Sequence, residues 1–328
     1  MDIRFARNIV EEAVKAGVDE AEVFLKSSKG LTVDIKDGDI DSLETFQSSG
    51  YAIRLIKGKK CGFSFSNKTQ DFLDTLKQTL QSLDYSEQDE YICLPESGQS
   101  ANTNDTLIFD DKIDNLPIDD AIQNIRDIEA AAFENRLVKK IRKASGTFGS
   151  SNTIVLNSKG LECEYKATFV TASIMLVAEK DGESHTGWDY QTFRILKDID
   201  FRNIGRNAAE KATLTLGAKR ISSFKGLVLM HPPIVVEFLG ILASSLTAES
   251  VQKNRSMLAG KIGQTVTSKN INITDTASLD GKVGSRPFDA EGTPTMQTVL
   301  IKEGILQGYL HNAYTAKKRW PKVNWQCH

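Results

Sequence analysis

The segment 137–195 constrains the fold of this chain more than any other feature, because it is a nearly unbroken succession of strand patterns. It is rich in Val, Ile, Thr, Phe and Tyr, the residues that strands favour. Turn signals interrupt it at 157–160 and again at Asp181 and Gly182. Long strands joined by such short turns run antiparallel, since the chain reverses direction at each turn. The segment therefore predicts an antiparallel sheet.

Residues 1–90 combine helix and strand patterns, and we predict that they form an N-terminal α/β domain with a mixed sheet. The predicted elements are a helix over 2–16, a strand pair over 21–28 and 30–38, a hairpin over 51–67 that turns near Gly58, and a helix whose buried stripe runs from Phe72 to Leu83. Both helices carry apolar residues along one face, which indicates that they pack on the sheet.

The remaining chain divides by composition into three parts. Residues 91–116 are polar and acidic, and they predict a linker or a loosely held excursion. Residues 117–222 predict a helix followed by the antiparallel sheet, with a second helix at about 201–216 whose N-cap is Asp200. Residues 223–318 predict an incomplete C-terminal β-rich domain. We therefore expect an α+β protein, in which the N-terminal domain precedes a larger antiparallel β-rich domain with packed helices and a truncated C-terminus.

The charge balance argues against nucleic acid and membrane surfaces as partners. The chain has 41 basic and 43 acidic residues, and they are interspersed, so no basic footprint for either partner is present. Near the N-terminus, Glu11, Glu12 and Lys15 interrupt the apolar pattern, which excludes a signal-peptide core and a membrane span there. These patterns predict a cytoplasmic protein.

The cysteines predict neither a disulfide framework nor a zinc knuckle. Cys61, Cys93, Cys163 and Cys327 are far apart in the sequence, and no two of them form a C-x-x-C pair. We expect scattered, reduced thiols.

The stretch LMHPPIVVEFLGILASSL, residues 229–246, has the outline of a metal-binding helix, with a His and a Glu beside an apolar run. An open zinc site needs two ligands on one face and a carboxylate that activates water. His231 and Glu237 are six residues apart, which places them roughly 240° apart around a helix. We therefore interpret His231 as a cap or loop residue, Glu237 as a solvated or paired carboxylate, and the helix as buried nearly all round.

The loop FDAEGTPT, residues 288–295, is the second candidate site. Its carboxylates could bind a cation or position a peptide, but acidic residues in a turn usually bond to local backbone N–H groups, and we favour that alternative. The candidate peptide contacts are Asp289, Glu291, Gly292 and Thr293. A strand pair over 295–310, turning at Glu303 and Gly304, follows the loop.

Several segments together resemble the TldD/PmbA family, peptidase-related proteins once described as modulators of DNA gyrase. They are FDAEGTPT, the hairpin LIKEGILQGYLHNAYTAKK at 300–318, KNRSMLAGKIGQTV at 253–266, AGVDEAEVFL at 16–25, and YAIRLIKGKKCGFSFSN at 51–67. The resemblance covers nearly the whole chain. It implies a peptidase complex in which a zinc-bearing subunit pairs with one that lacks the metal ligands.

Zinc-bearing members of that family carry His-Glu-x-x-x-His in the buried helix, where this chain has Gly240, Ile241 and Ser244 or Ser245. The chain therefore resembles the PmbA branch, which lacks the zinc motif. The resemblance implies no catalytic residue, metal ligand or cofactor in this chain, and zinc in a partner subunit. It implies as partner either a zinc-bearing TldD-like homologue or a second copy of this chain, and an unfolded peptide as substrate. Two alternatives stay open: an independent hydrolase using Asp289, Glu291 or His231, and a non-enzymatic binding module for a topoisomerase or toxin system.

The tail WPKVNWQCH departs from the family pattern, which continues with Gly-Leu-Lys-Ser-Thr-Gly-Asn-Ala. Permitted codons for Trp320 to Cys327, read one nucleotide later, encode that octapeptide. We therefore interpret residues 319–328 as a frameshifted tail and expect the shortened chain to expose apolar surface.

Overall fold

A computed structural model of the chain describes residues 2–68, 70–96 and 107–319. The tail from residue 320 onward, where the sequence predicts a frameshift, lies outside the described residues, as does the middle of the predicted linker.

A six-stranded antiparallel sheet is the centre of the fold. Its strands are β1 (Glu20–Lys36), β2 (Asp39–Lys57), β3 (Lys60–Ser66), β4 (Val138–Asn157), β5 (Glu162–Lys180) and β6 (Glu183–Phe193). They are arranged in the order β3-β2-β1-β4-β5-β6, and each neighbouring pair is antiparallel. The turns predicted at 157–160 and at Asp181 and Gly182 separate β4, β5 and β6 as expected.

The strand pair predicted at 21–28 and 30–38 is wrong, because β1 is one continuous strand through Gly30. Gly30 permits a close approach instead of a turn. A Cβ there would lie 2.4 Å from the Phe148 carbonyl oxygen and 2.6 Å from the ring of Phe46. The Phe46 side chain covers the bare backbone of this glycine, as aromatic residues do opposite glycines in sheets.

The sheet runs across the boundary that the sequence predicts at 91–116. β1 pairs directly with β4, from Glu22 opposite Asn157 to Ile35 opposite Ala144. The mixed sheet expected for residues 1–90 is antiparallel at every pairing, because the N-terminal strands form one layer with the central ones. The domain boundaries themselves stay predictions, while the α+β class with its large antiparallel sheet and packed helices is confirmed.

The helices of the described residues are α1 (Ile3–Lys15), α2 (Phe72–Ser82), α3 (Asp111–Asp114), α4 (Ile118–Ala132), α5 (Phe201–Leu214), α6 (Pro232–Ser245), α7 (Ala248–Gln252) and α8 (Ala313–Arg319), with short 3-10 turns at Leu83–Tyr85 and Leu196–Asp198. Two pairs of these helices cover one face of the large sheet, and each pair has its own core. Helices α1 and α2 bury Ile9 and Leu76 against the first strands. Helices α4 and α5 bury Ile125, Ile128 and Ala208 against the central strands.

The helix starts follow local capping chemistry. The Asp200 carboxylate accepts a hydrogen bond from the backbone N–H of Asn203 at 3.0 Å, as the sequence predicts for the N-cap of α5. Asp2 caps α1 in the same way through the N–H of Phe5. A side-chain oxygen at this position satisfies one of the backbone donors that the first helical turn leaves free.

The C-terminal part is built around a small three-stranded sheet. Its strands are β7 (Ile273–Asp275), β8 (Thr298–Lys302) and β9 (Ile305–Leu306), in the order β7-β8-β9. The predicted turn at Glu303 and Gly304 joins β8 and β9, with Glu303 at φ 48° and Gly304 at φ 77°. Leu258, Leu300 and Leu306 form its core.

Helix α6 is exposed, which corrects the prediction of a helix buried nearly all round. Val236 is 66% exposed, Phe238 58% and Ile241 73%. The preceding residues GLVLM, expected as a buried strand, have no strand pairing, and Leu229 is fully exposed. Within the described ranges no element packs over this surface; only Leu242 of the helix body contacts the small C-terminal core.

Candidate functional site

The loop 288–295 is held by its own backbone. One carboxylate oxygen of Asp289 accepts hydrogen bonds from the N–H groups of Glu291 and Thr293, each at 2.9 Å. The N–H of Asp289 donates in turn to the carbonyl of Thr293 at 2.9 Å. Asp289 therefore does what the favoured alternative from the sequence predicts, since its carboxylate orders a turn.

Phe288 fastens this loop to the sheet. Its side chain is 1% exposed and packs with Val155, Leu161 and Cys163. The ring of Tyr165 meets it edge to face, with centroids 5.0 Å apart. The loop is thereby fixed on the sheet face opposite to the helices.

Gly292 is required by the fit of the loop against this cluster. It has φ +79°, and a Cβ there would lie 2.3 Å from Leu161 Cδ2. Its carbonyl oxygen lies 3.7 Å from the Cys163 sulfur, which acts as a weak donor. Burial raises the pKa of the Cys163 thiol, so the group stays protonated at neutral pH. This thiol is a packing group and not a nucleophile.

Glu291 links the loop to two distant parts of the chain. Its carboxylate accepts a hydrogen bond from the backbone N–H of Ala313 at 2.9 Å, at the start of α8. The other oxygen lies 3.7 Å from a guanidinium nitrogen of Arg54 on β2. Arg54 also bonds to Glu22 on β1 at 2.9 Å. The network joins the first two strands, the loop and α8 into one unit.

The electrostatics of this network are those of a partly buried ion cluster. Glu22 is 5% exposed, and burial raises its pKa, an effect that the nearby Arg54 guanidinium opposes. Glu291 and Asp289 raise it further, because they are like charges. Arg54 Nε is buried and has no hydrogen-bond partner within the described part of the chain. Arg54 thus offsets the negative charge of Glu22 and Glu291, and Glu291 fixes the backbone at the start of α8.

The four predicted peptide contacts lie together, and the carboxylates of Asp289 and Glu291 accept hydrogen bonds from within the protein. Asp289 and Thr293 bond to each other through the loop, and Glu291 bonds to Ala313. Contact of these residues with a peptide therefore stays a prediction. Their observed effect is to hold the loop and α8 against the sheet.

A free strand edge forms a large groove that no pattern in the sequence predicts. β3 pairs only with residues 51–57 of β2, whereas β2 extends from Asp39. Along 39–50, β2 pairs with β1 on one side, and no described strand lies on the other. The edge was missed because this half of β2 is polar and largely exposed, so it lacks the alternating apolar pattern of a half-buried strand.

The groove has a volume of about 1040 Å³ and lies where β3 ends beside β2. Lys26, Ser28, Ser48 and Gly50 are among its lining residues on the sheet, and Asp74, Thr75 and Gln78 among those of α2. The Tyr51 hydroxyl on its floor lies 3.0 Å from the Thr75 hydroxyl. Small side chains leave the backbone accessible at this edge. Such an edge offers unpaired N–H and C=O groups to an extended chain.

Phe24 connects the groove with the acidic loop. It lines the groove and also packs against the Phe288 cluster. It lies two residues from Glu22 on β1, so both side chains are on the same sheet face. The fold thus brings the predicted loop beside the unpredicted groove.

The donor set does not fit a zinc ion. His231 is the N-cap of α6, as expected, and Glu237 is exposed farther along the same helix. In the described ranges, no three His, Cys, Asp or Glu residues are grouped so that they could hold a metal ion. A zinc site needs three or four such ligands, and Glu237 is the one residue of these types on α6, whose other side chains are apolar or hydroxyl.

Within the same described residues, no helix combines the length and the apolar character that a bilayer crossing requires.

Comparison with protein families gives three consecutive matches along the chain. Residues 21–84 match PmbA/TldA metallopeptidase domain 1, residues 111–216 match the central domain, and residues 224–320 match the C-terminal domain. Together these matches cover well over half of the chain.

Relatives and solved structures agree with these matches. A Metalloprotease PmbA homolog of Buchnera aphidicola is 28% identical over 309 residues, covering 90% of this chain and 67% of the relative. Metalloprotease PmbA of Escherichia coli O157:H7 is 24% identical over 327 residues, covering 95% and 72%.

The solved structure of a candidate DNA gyrase modulator from Thermotoga maritima has the same fold, with a TM-score of 0.86 at 24% identity, covering 96% of this chain and 72% of that one. TldE from Thermococcus kodakarensis has a TM-score of 0.79 at 20% identity, covering 95% and 71%. The three consecutive domain matches show that the chain belongs to the PmbA/TldD metallopeptidase family.

Proposed function

We propose that this chain is the metal-free subunit of a PmbA/TldD-type peptidase complex, in which it holds unfolded peptides for a zinc-bearing partner. The observation that carries the proposal is the composition of α6. Gly240, Ile241 and Ser244 or Ser245 stand where the zinc-bearing branch has His-Glu-x-x-x-His. Hydroxyl and apolar groups cannot replace imidazole as zinc ligands or activate a water molecule. The hydrolytic step therefore belongs to a TldD-like homologue.

The peptide would bind in extended form along β2. The groove of about 1040 Å³ continues the line of β3 beside residues 48–50, so a peptide there would add a strand to the sheet. Main-chain hydrogen bonds supply affinity with little dependence on sequence, which suits unfolded substrates. The lining of the groove is polar and carries charges of both signs, from Lys26, Lys68, Asp71 and Asp74. Peptides with acidic, basic or neutral side chains should therefore all be accepted.

Zinc analysis and reconstitution test this assignment. We expect the purified chain to contain far less than one zinc per chain and to leave unfolded peptides intact. Mixing it with a zinc-bearing TldD-like homologue should produce peptide cleavage that exceeds the activity of the homologue alone. Stoichiometric zinc and peptide cleavage by this chain alone would refute the proposal and favour an independent hydrolase.

Backbone-modified peptides test the mode of binding. A peptide N-methylated at alternate amides loses the donors of one edge, so one of the two alternating methylation patterns should bind at least tenfold more weakly than the parent. The other pattern leaves the bonding edge intact and is the matched control. Equal binding of all three peptides would exclude strand addition.

A binding module for a topoisomerase or toxin system is the second candidate. It is favoured by the description of solved structures such as the one from Thermotoga maritima as DNA gyrase modulators. Co-purification separates the candidates, since we expect recovery of a TldD-like homologue from the cytoplasm and not of gyrase. The proposal places the complex in the cytoplasm.

A further inference from the structure

We propose that a basic strip on β4, made of Lys139, Lys140, Arg142 and Lys143, binds acidic segments of the unfolded peptides that this chain holds. The inference deepens the proposed function, on which it rests, because it adds a preferred class of peptide to a groove that itself carries charges of both signs. The even charge balance of the whole chain conceals this strip. From residue 135 to residue 161 the chain contains no Asp or Glu.

Two β-bulges turn the four cations to one face of the sheet. The pairing of β4 with β5 shifts register between Val138 and Lys140 and again between Ile141 and Lys143. Each bulge places an additional residue on β4. As a result, Val138, Ile141 and Ala144 are buried in the core under α4 and α5, whereas the cations between them are exposed. The basic strip therefore lies on the sheet face away from these helices.

The positive charge of the basic strip is mostly uncompensated. Lys143 pairs with Asp34 on β1 at 2.7 Å, and in the described part of the chain it is the one member of the strip that forms a salt bridge. Lys139 donates to the carbonyl of Arg136, which is itself exposed and cationic. Like charges at a strand end repel a second copy of that strand. The charge therefore selects a partner that carries several carboxylates close together.

Half-exposed apolar side chains adjoin the basic strip on the same face. Met175 on β5 lies opposite Lys143, and Trp188 on β6 lies opposite Met175. Met175 is 42% exposed and Trp188 49%, and the ring of Tyr190 stacks on that of Trp188. Side chains of these types are enriched in protein interfaces. The surface therefore suits a segment in which apolar residues neighbour the acidic ones.

Exposed acidic residues limit the length of the ligand. Asp37 and Asp181 lie at the turns that end β1 and β5 beside the strip. From Lys139 to Lys143 the strip spans about 13 Å, at about 3.3 Å per residue of a strand. A run of about four acidic residues fits this length. The phosphates of a nucleic acid would continue onto the acidic turns, so the charge distribution favours a peptide.

The basic strip and the groove share one face of the sheet. Asp34 contacts Lys143, Ser28 lines the groove, and these two residues are six positions apart on β1, so their side chains point the same way. The separation along β1 is about 20 Å. A peptide spacer of ten residues can span about 33 Å, whereas one of two residues cannot reach from site to site. Binding in the groove would therefore present an acidic run to the strip at a high effective concentration.

Fluorescence anisotropy with designed peptides tests the basic strip in the full chain. The probe is an uncharged segment of Ser, Thr and Val that carries four glutamates and two leucines at each end, through Gly-Ser spacers of ten residues. The control peptide has glutamine in place of glutamate. We expect the glutamate peptide to bind at least tenfold more tightly at low salt, with a difference that falls as the salt concentration rises. With spacers of two residues this preference should be lost.

Charge reversal on the protein locates the effect. In Lys140→Glu/Arg142→Glu, the glutamate peptide should bind no more tightly than the glutamine peptide, at an unchanged circular dichroism spectrum. Lys261→Glu/Lys269→Glu is the matched control, because it makes the same change in net charge at two exposed lysines of the C-terminal part. We expect this variant to retain the preference.

Equal binding of the two peptides by the unmodified chain would overturn the inference, as would a preference that persists in the β4 variant or with the two-residue spacers. If one N-methylation pattern still weakens peptide binding in that case, the groove and the proposed function stand. Tighter binding of an oligothymidylate than of the glutamate peptide, abolished in the β4 variant, would also overturn the inference and assign the strip to nucleic acid.

Discussion

A guanidinium nitrogen of Arg54 lies 2.9 Å from the Glu22 carboxylate, and this contact joins the second strand of the sheet to the first at the point where the acidic loop docks. Only 5% of Glu22 is exposed. The positive charge of Arg54 therefore compensates the negative charge of the buried Glu22 carboxylate. It also positions Glu291, 3.7 Å from the other end of the same guanidinium.

Arg54→Met should destabilise the protein by about 3 kcal/mol, because it leaves the Glu22 carboxylate buried without its cation. Urea unfolding followed by circular dichroism measures this change in the free energy of unfolding. Arg7→Met is the matched control. Arg7 pairs with Glu162, but both side chains are well exposed, at 48% and 39%, so its loss should destabilise the protein far less than the loss of Arg54. Equal costs for the two variants would contradict the structural assignment.

Ser150→Ala should destabilise the protein by about 1.5 kcal/mol at neutral pH, since the Ser150 hydroxyl donates to the Asp114 carboxylate at 2.5 Å. This hydrogen bond, with Lys29 nearby, lowers the pKa of Asp114 below its ordinary value of 3.8. The stabilisation is therefore fully present above pH 3.8 and is lost as the pH falls through the lowered native pKa.

Unfolding at a series of pH values measures the difference between the two proteins, which should vanish in strong acid. Ser28→Ala removes a neutral hydroxyl pair with Ser48, at 2.8 Å, and should show no such pH dependence. A constant difference for Ser150→Ala would argue against an ionised Asp114.

Gly292→Ala should cost about 1–3 kcal/mol more than Gly182→Ala. Both glycines have a positive φ, so both variants carry similar backbone strain. Only at Gly292 does the new Cβ meet a neighbour, Leu161 Cδ2 at 2.3 Å, whereas nothing lies within 4 Å at Gly182. Thermal or urea unfolding of the two variants isolates the clash, and an equal loss of stability would show that the loop does not pack on Leu161.

Ile241→Ala should change the free energy of unfolding by less than about 0.5 kcal/mol and reduce the binding of an apolar dye, because this side chain of α6 is 73% exposed. Ile301→Ala, at a residue that is 1% exposed in the C-terminal core, should cost about 2–5 kcal/mol. A large loss of stability for Ile241→Ala would mean that α6 is covered in solution.

Elements with strong local signals could be predicted from the sequence. The β5–β6 turn falls at Asp181 and Gly182, where a type of turn with positive φ at both positions favours Gly and Asp. Asp200 caps α5, because the bond spans only three residues. Residues 288–295 form a loop as predicted, and Asp289 bonds to neighbouring backbone as the local chemistry of Asp dictates.

Predictions that depended on packing were less successful. The apolar pattern of α6 predicts burial, yet a pattern contains no information on whether a second layer is present, and Ile241 is exposed. Gly30 resembles a strand break, but it marks the approach of Phe46 from a neighbouring strand. The free edge of β2 had no signal, because its polar side chains lack the period of a half-buried strand.

The sequence by itself determined the antiparallel strands of 137–195, the turns at 157–160 and at Asp181 and Gly182, the Asp200 cap, and the absence of imidazole and carboxylate side chains at 240–245, because these depend on neighbouring residues or on residue identity alone. Only the tertiary structure decided that Glu22, Arg54 and Glu291 form one network, and that the groove opens beside β2. These residues are far apart in the chain. Their meeting depends on the order of strands in the sheet, which is set by the packing of many distant side chains at once.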